Sequence, residues 1–220
     1  MPLFDWLTGG DRSALVGDAF ADLQEMLRVS DEMFAAACGH LFDNEILEMD
    51  LERRDDEVDS RESHLRSAIH AYLSTHSGRP NVYALKLLGI VHEAERIGDL
   101  SKSLGDLAEL AAKPRLGPSV LPLRLLRNDI QAMFDLTRTC FRENDVTRAE
   151  AVLARHGDRK REARRIIAEL AAGQDGSPNE AVVLALAARM LGRVSSHLAN
   201  IASSVVFPFE QIRRTHADLP

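Results

Sequence analysis

The sequence is poor in the residues on which several protein classes depend. It has only 2 cysteines, Cys38 and Cys140, which lie far apart and lack the spacing of a metal motif or a disulfide framework. Aromatic residues make up only 5%, and alternating runs of Val, Ile and Thr are absent, which argues against a sheet protein. No stretch approaches about 18 uninterrupted apolar residues, so we expect no membrane span. Neither a Gly-rich phosphate loop nor a Ser–His–Asp arrangement indicates an enzyme of those classes.

The charge of the chain is negative and unevenly distributed. The net charge is −7, and 45% of the residues are hydrophobic, which is enough to bury a core. Residues 1–113 contain 22 acids and 11 bases and carry −11, whereas residues 114–220 contain 12 acids and 16 bases and carry +4. An acidic chain argues against general nucleic-acid binding. The asymmetry suggests that the two halves no longer do the same job.

Helix-forming residues dominate what is present, because Ala, Leu, Arg and Glu are abundant, and this predicts an all-α protein. Turn residues divide the chain into six periodic stretches. They end near Phe42, Thr75, Ala112, Arg142, Ala172 and Val206. The breaks between them include residues 77–81, 113–118 and 173–176. Asp43-Asn44 and Asn144-Asp145 are the other two breaks, and we expect them to cap the second and fifth helices. Ser177-Pro178-Asn179-Glu180 reads as a capping box with proline at the first helical position. We expect Pro208 to end or kink the last helix.

A degenerate sequence repeat relates the two halves. Met33-Phe34 recurs 100 residues later as Met133-Phe134, and Asp43-Asn44-Glu45 recurs as Glu143-Asn144-Asp145. With small insertions, Asp55 and Asp59 would correspond to Asp158 and Glu162, and Glu95 and Asp99 to Gly192 and Ser196. The sequence therefore predicts two tandem three-helix bundles, residues 1–113 and 114–220, that are related by a pseudo-twofold repeat and packed side by side.

Acidic residues in the first half follow a helical spacing. Glu48, Glu52, Asp55, Asp59 and Glu62 are spaced by three or four residues and would line one helix face. Because each like-charged pair destabilises a helix by roughly 0.2–0.5 kcal/mol, the run suggests a metal ion or a basic partner. A plain solvated helix face is the alternative.

The next helix continues this pattern. His92, Glu95, Asp99 and Asp106 would share a face that points away from the core, since the apolar stripe lies elsewhere on that helix. His92 could be a further ligand or a solvent-facing side chain.

These motifs resemble those of the PhoU family of phosphate-uptake regulators, which are tandem three-helix bundles. Glu95-Arg96-Ile97-Gly98-Asp99 is similar to the third-helix motif of that family. Asp55, Val58, Asp59 and Glu62 match its second-helix motif, and Asn200-Ile201-Ala202 matches the tail of the third-helix motif in the second half. The motifs occupy about thirty residues, whereas the resemblance in helix number and order covers nearly the whole chain.

The resemblance implies a metal ion or cluster on the first bundle alone. The implied ligands are Asp55, Asp59, Glu62, Glu95 and Asp99, with Glu93 nearby, and oxygen donors of this kind suit Fe, Zn, Mn or Mg. In the second bundle Gly192 and Ser196 replace the motif acids, and at most Asp158 and Glu162 remain there among arginines.

The resemblance also implies a function. It suggests a non-enzymatic, cytoplasmic adaptor, peripherally associated with membrane complexes, that relays phosphate status to a phosphate transporter or a histidine-kinase complex and forms a homodimer. An accessory protein of an ion-coupled phosphate carrier is one alternative, and a carboxylate-bridged metal protein of unrelated role is another. The basic run from Arg159 to Arg165 could dock an acidic partner or the acidic bundle of another subunit.

Two other classes of helical protein fit the sequence less well. A ferritin-like di-metal enzyme needs Glu-x-x-His motifs, and none of the 8 histidines has a glutamate three residues before it. A histidine phosphotransfer bundle could use His92-Glu93, but the neighbourhood lacks the small and proline residues expected there.

Overall fold

A computed structural model describes residues 14–75, 82–173 and 177–212. These residues contain no strand, which agrees with the predicted all-α class. The six α-helices are α1 (Ala14–Cys38), α2 (Leu51–Thr75), α3 (Val82–Glu109), α4 (Leu121–Glu143), α5 (Val146–Ala172) and α6 (Pro178–Val206). The predicted break at residues 77–81 and most of the predicted loop at residues 173–176 lie outside the described residues.

The connection from α1 to α2 differs from the prediction. A π-helical turn, Gly39–Asp43, follows α1 and ends at Asn44, whose φ of 59° is left-handed and whose N–H bonds to the carbonyl of Gly39. Asp50 caps α2 instead, because its carboxylate accepts a hydrogen bond from the backbone N–H of Arg53 at 3.0 Å. The cap predicted at Asp43-Asn44 is therefore wrong. Glu48 precedes α2 and does not belong to its acidic face.

Other predicted helix ends are confirmed. Asn144 ends α4 in the left-handed conformation with φ of 52°, and the side chain of Asp145 caps α5. Ser177 caps α6 by accepting a hydrogen bond from the N–H of Glu180 at 3.1 Å. The Glu180 carboxylate accepts a hydrogen bond from the hydroxyl of Ser119 at 2.7 Å, so it fastens the start of α6 to the segment before α4.

The helices form two three-helix groups that share one core. Helices α1, α2 and α3 pack together, as do α4, α5 and α6, and the groups meet through α3 against α6 and α1 against α4. The residue pair Phe34 and Phe134, which the repeat relates, is in contact, with ring centroids 5.4 Å apart. The pair Asp31 and Gln131 has the same sequence separation and is hydrogen-bonded. A pseudo-twofold axis therefore runs from the α1–α4 contact to the α3–α6 contact, and residue 113 lies in the non-helical connection between the groups.

Helix α6 is a core helix. By length and composition alone it could cross a membrane, and it is the one described helix of which this is true. It packs against α3, α4 and α5, and 44% of its most apolar window is buried inside the protein. The helix is apolar because it lies at the centre of the second bundle and contacts other helices on three sides.

Candidate functional site

The five predicted metal ligands lie together along the contact between α2 and α3. Partial burial raises the pKa of Asp59, and the carboxylates of Asp55, Asp99 and Glu62 raise it further. The pKa of Glu95 is also raised by Asp99, Glu62 and Asp59. Because the charges of the neighbouring carboxylates act on Asp59 and on Glu95, we treat the five residues as one electrostatic unit, which we call the acid groove.

The tightest cluster within this surface consists of Glu62, His92 and Glu95. One potential ligand atom of each lies within 4.8 Å of the other two. Nδ1 of His92 is 3.1 Å from Oε2 of Glu95 and 3.8 Å from Oε1 of Glu62. The sequence left the role of His92 open, and its three-residue spacing from Glu95 is the signal that places it here.

The carboxylate of Glu95 has a buried oxygen atom that lacks a hydrogen bond. Burial raises its pKa to about 7, and the neighbouring carboxylate of Asp99 adds to this effect. Its Oε2 atom is buried and accepts no hydrogen bond. A carboxylate oxygen that lacks a hydrogen-bond donor and lies beside an imidazole and a second carboxylate is a suitable metal ligand. The donor set therefore fits a divalent cation such as iron, zinc or manganese.

The chain's own cations already pair with four of the five predicted ligands. Asp55 is buried, and its Oδ2 atom is 2.5 Å from Nζ of Lys102, an interaction that raises the pKa of Lys102. Asp99 is 3.0 Å from the guanidinium of Arg96, whose Nε atom is also 3.6 Å from Oε2 of Glu95. Oε1 of Glu62 accepts a hydrogen bond from the guanidinium of Arg66 at 2.7 Å. Asp55, predicted to lie on an acidic helix face, is only 4% exposed and is therefore buried in the contact between the helices. Asp55, Glu62 and Asp99 could bind a metal only by exchanging these partners.

Gly98 allows α2 and α3 to approach closely at this point. A Cβ atom at residue 98 would lie 3.2 Å from Oδ1 of Asp55 and 3.5 Å from Cγ1 of Val58. A larger side chain at this position would press on Asp55 and Val58, so the glycine permits the short distance between the helices. The short distance between the two helices brings the carboxylates of α2 within reach of those on α3.

Glu93 does not belong to the acid groove, contrary to the expectation that it lies near the ligands. It is 5% exposed and faces α6, where Oε2 lies 2.9 Å from Nδ1 of His197 and accepts a hydrogen bond from Nδ2 of Asn200 at 2.7 Å. The reason is helical period, because residues two apart point to roughly opposite sides of a helix. Glu93 therefore joins the two bundles, and Asn200 of the family-like tail motif is one of its partners.

The second bundle has a different constellation at the equivalent place. Ser195 corresponds to Gly98 at the predicted offset of 97 residues, and its hydroxyl lies 2.9 Å from Nδ1 of the buried His156. His156 thus takes the place that Asp55 has in the first bundle, 101 residues earlier. Burial lowers the pKa of His156 to about 4.

A second contact between α5 and α6 gives the same alignment of the two bundles, with offsets of 101 residues for α5 and 97 for α6. Ala163 and Gly192 lie 101 and 97 residues after Glu62 and Glu95, and a Cβ atom at Gly192 would be 3.3 Å from Cβ of Ala163. A small-residue contact therefore replaces the carboxylate pair.

The burial pattern agrees with this register. Leu51, Asp55 and Leu65 of α2 are buried, as are their counterparts at an offset of 101, Val152, His156 and Ile166 of α5.

The predicted counterparts of Asp55 and Asp59 are consequently wrong by two residues. Asp158 and Glu162 lie away from the α5–α6 contact, where they pair with Arg161 and Arg165. When α5 is aligned with α2 by these contacts, at an offset of 101 residues, Lys160 occupies the position of Asp59. The described part of the second bundle therefore has no counterpart of the acid groove. The error arose because an acidic pair was aligned with an acidic pair, whereas contacts with the neighbouring helix define the true register.

Comparison with known proteins agrees with this architecture. The family model described as the PhoU domain matches residues 23–108 and 123–205, one match in each bundle. The structure is similar to the crystal structure of PhoU from Pseudomonas aeruginosa, with a TM-score of 0.77, 20% identity and coverage of 88% of this chain and 96% of that one. It is also similar to the phosphate transport system regulatory protein PhoU from Streptococcus pneumoniae, with a TM-score of 0.76, 13% identity and coverage of 89% and 94%. No curated protein sequence gives a significant match.

Proposed function

Because this chain belongs to the PhoU family, we propose that it is a regulatory adaptor of phosphate uptake that acts by binding rather than by catalysis. The observation that carries the proposal is a family match in both bundles together with an intact acid groove in the first. The two thiols give no support to a catalytic role, because burial raises the pKa of Cys38 and raises that of Cys140 to about 12.

We further propose that the acid groove binds a metal ion, which could be iron, zinc, manganese or magnesium. Glu62, His92 and Glu95 would hold it, since their ligand atoms already lie within 4.8 Å of one another. Asp59 and Asp99 would add negative charge beside it. A bound metal would supply positive charge and coordination positions that acceptor groups of a partner can fill.

Metal binding can be tested on the purified protein. The metal content after equilibration with each cation, and the affinity by calorimetry, should fall in the variant with Glu62→Gln and Glu95→Gln. The matched control carries Asp158→Asn and Glu162→Gln, which removes as many acids from the second bundle. Equal metal binding by all three proteins would contradict the assignment.

The proposed partners are a phosphate transporter or a histidine-kinase complex at the cytoplasmic face of the membrane. The acidic first bundle suits a basic segment of such a partner, because opposite charges speed association and suppress wrong pairings. An accessory role beside an ion-coupled phosphate carrier is compatible with the same surface.

The regulatory role can be tested in cells that lack this chain. Deletion should raise phosphate uptake and the expression of phosphate-starvation genes when phosphate is ample. Cells that carry Glu95→Ala with Asp99→Ala should share this phenotype if the acid groove is responsible, whereas Asp158→Ala with Glu162→Ala should not. Unchanged uptake and expression in the deletion strain would contradict the proposal. A change in ion-coupled uptake without a change in gene expression would favour the carrier alternative.

A further inference from the structure

The second bundle carries cations at the place where the first bundle carries the acid groove. In the structural register Lys160 replaces Asp59, and Arg189 replaces His92. The positions of Glu62, Glu95 and Asp99 hold the small uncharged residues Ala163, Gly192 and Ser196. We call Lys160, Arg164, Arg189 and Arg193 the basic face.

No counter-charge within the described residues compensates the basic face. All four side chains are exposed, and none forms an ion pair there. Three neighbouring arginines of α5 behave differently, because Arg159, Arg161 and Arg165 pair with Asp129, Asp158 and Glu162 respectively. Lys160 and Arg164 are four residues apart, as are Arg189 and Arg193, so each pair repels along its helix. A surface of this kind calls for a negative partner from outside the chain.

The acid groove and the basic face point to the same side of the molecule. The three helices of each group contact one another pairwise, so the α2–α3 surface faces away from α1 and the α5–α6 surface faces away from α4. Because α1 and α4 meet at one end of the pseudo-twofold axis, both surfaces face toward its other end. The α2–α3 surface and the α5–α6 surface are exchanged by the pseudo-twofold rotation. One broad side of the protein is therefore negative at one end and positive at the other.

We propose that the basic face docks on the acid groove of a second copy of this chain, in a face-to-face dimer with twofold symmetry. If two such sides are turned toward each other about a twofold axis in the plane between them, each positive end meets a negative end. Both contacts form at once, and the interface is closed and isologous. A single copy cannot make this contact, because its two charged surfaces face the same way.

A second copy fits the basic face better than a small anion does. The four cations are exposed side chains, and small residues such as Ala163 and Gly192 lie between their helices, so no buried donor converges on one point. The chain itself supplies an acid surface at the matching position. In the metal-free dimer Lys160 and Arg193 of the partner would lie over the carboxylates around Glu95 and would neutralise them in place of a metal ion.

The test measures the dimer dissociation constant by analytical ultracentrifugation in EDTA at low and at high salt. One variant reverses the basic face with Lys160→Glu and Arg193→Glu, and a second reverses the acid groove with Asp59→Lys and Asp99→Lys. The control, Arg161→Glu with Arg165→Glu, reverses two α5 arginines that are already paired within the chain. Circular dichroism establishes that each variant is folded.

We expect the wild-type dimer to weaken as salt is added. The dissociation constant should rise about tenfold or more in either face variant, and much less in the control. Mixing the two face variants should restore dimers, because both contacts are then complementary again.

Three results would overturn the proposal. They are a monomeric wild type at low salt, a dimer that survives Lys160→Glu with Arg193→Glu, and a mixture of the face variants that stays monomeric. A monomeric wild type that binds anionic-lipid vesicles through the basic face would assign this face to the membrane instead. These measurements need no transporter or phosphate response, so failure here is distinguishable from failure of the proposed function.

Discussion

Replacement of Glu95 by glutamine should change how the stability of the metal-free protein depends on pH. The pKa of Glu95 is raised from 4.5 to about 7, mainly by burial. A carboxyl whose pKa is higher in the folded protein than in the unfolded chain favours folding while it is protonated. The folded state therefore loses stability as the pH rises from about 4.5 through 7.

The magnitude follows from the two pKa values. The full difference corresponds to about 3 kcal/mol at high pH, of which about 2 kcal/mol falls between pH 5.5 and pH 8. Solvent screens a carboxyl that is only partly buried, so we expect about 1 kcal/mol in that interval. In Glu95→Gln, which is neutral at every pH, this loss should be absent.

The assay is urea denaturation in EDTA at pH 5.5, 6.5, 7.2 and 8. The quantity of interest is the free energy of unfolding of Glu95→Gln minus that of the wild type, because other titrating groups largely cancel in this difference. The difference should rise by about 1 kcal/mol from pH 5.5 to pH 8. Glu162→Gln is the control, since Arg165 lowers the pKa of Glu162 and its contribution is constant over this interval. A flat difference for Glu95→Gln would refute the reasoning.

Replacement of Lys102 by methionine leaves the buried carboxylate of Asp55 without its cation. The free energy of unfolding, measured by urea denaturation, should fall by about 2 kcal/mol. Adding Asp55→Asn to the Lys102→Met chain should recover part of this loss. Phe134→Ala removes the ring that contacts Phe34 between the bundles and should cost about 3–4 kcal/mol, whereas Phe134→Leu should cost clearly less, and equal costs would argue against that contact. Because burial lowers the pKa of His156 to about 4, the wild type should lose about 2 kcal/mol as the pH falls from 6.5 to 4. His156→Gln should lack this acid-induced loss, and an identical pH profile would contradict it.

Local signals in the sequence predicted much of the fold. Asp145 and Ser177 were recognisable as helix caps because a cap depends on one side chain and the next few backbone N–H groups. The cap at Asp43-Asn44 failed because the same residue types also end helices. Asn44 adopts the left-handed conformation that ends the preceding turn, and only the path of the following loop makes Asp50 the cap.

The candidate site was predictable in part for the same reason. Glu62, Glu95 and Asp99 were found because helical spacing places them on the acidic stripes of α2 and α3. The spacing of residues within one helix does not show which residues of the neighbouring helix lie opposite them. The burial of Asp55, its pairing with Lys102, and the role of Glu93 between the bundles therefore required the structure.

The sequence by itself determined the class of the protein, its six helices, its repeat and the acidic stripes of its first half, because composition, caps and helical period act within about ten residues of chain. The tertiary structure decided which stripes face one another and at what register. It placed His156 and Lys160 where the first bundle has acids, since helix packing follows the fit of small and large side chains and not the alignment of like charges. Only this alignment of the two bundles shows that the basic face of the second bundle corresponds to the acid groove of the first.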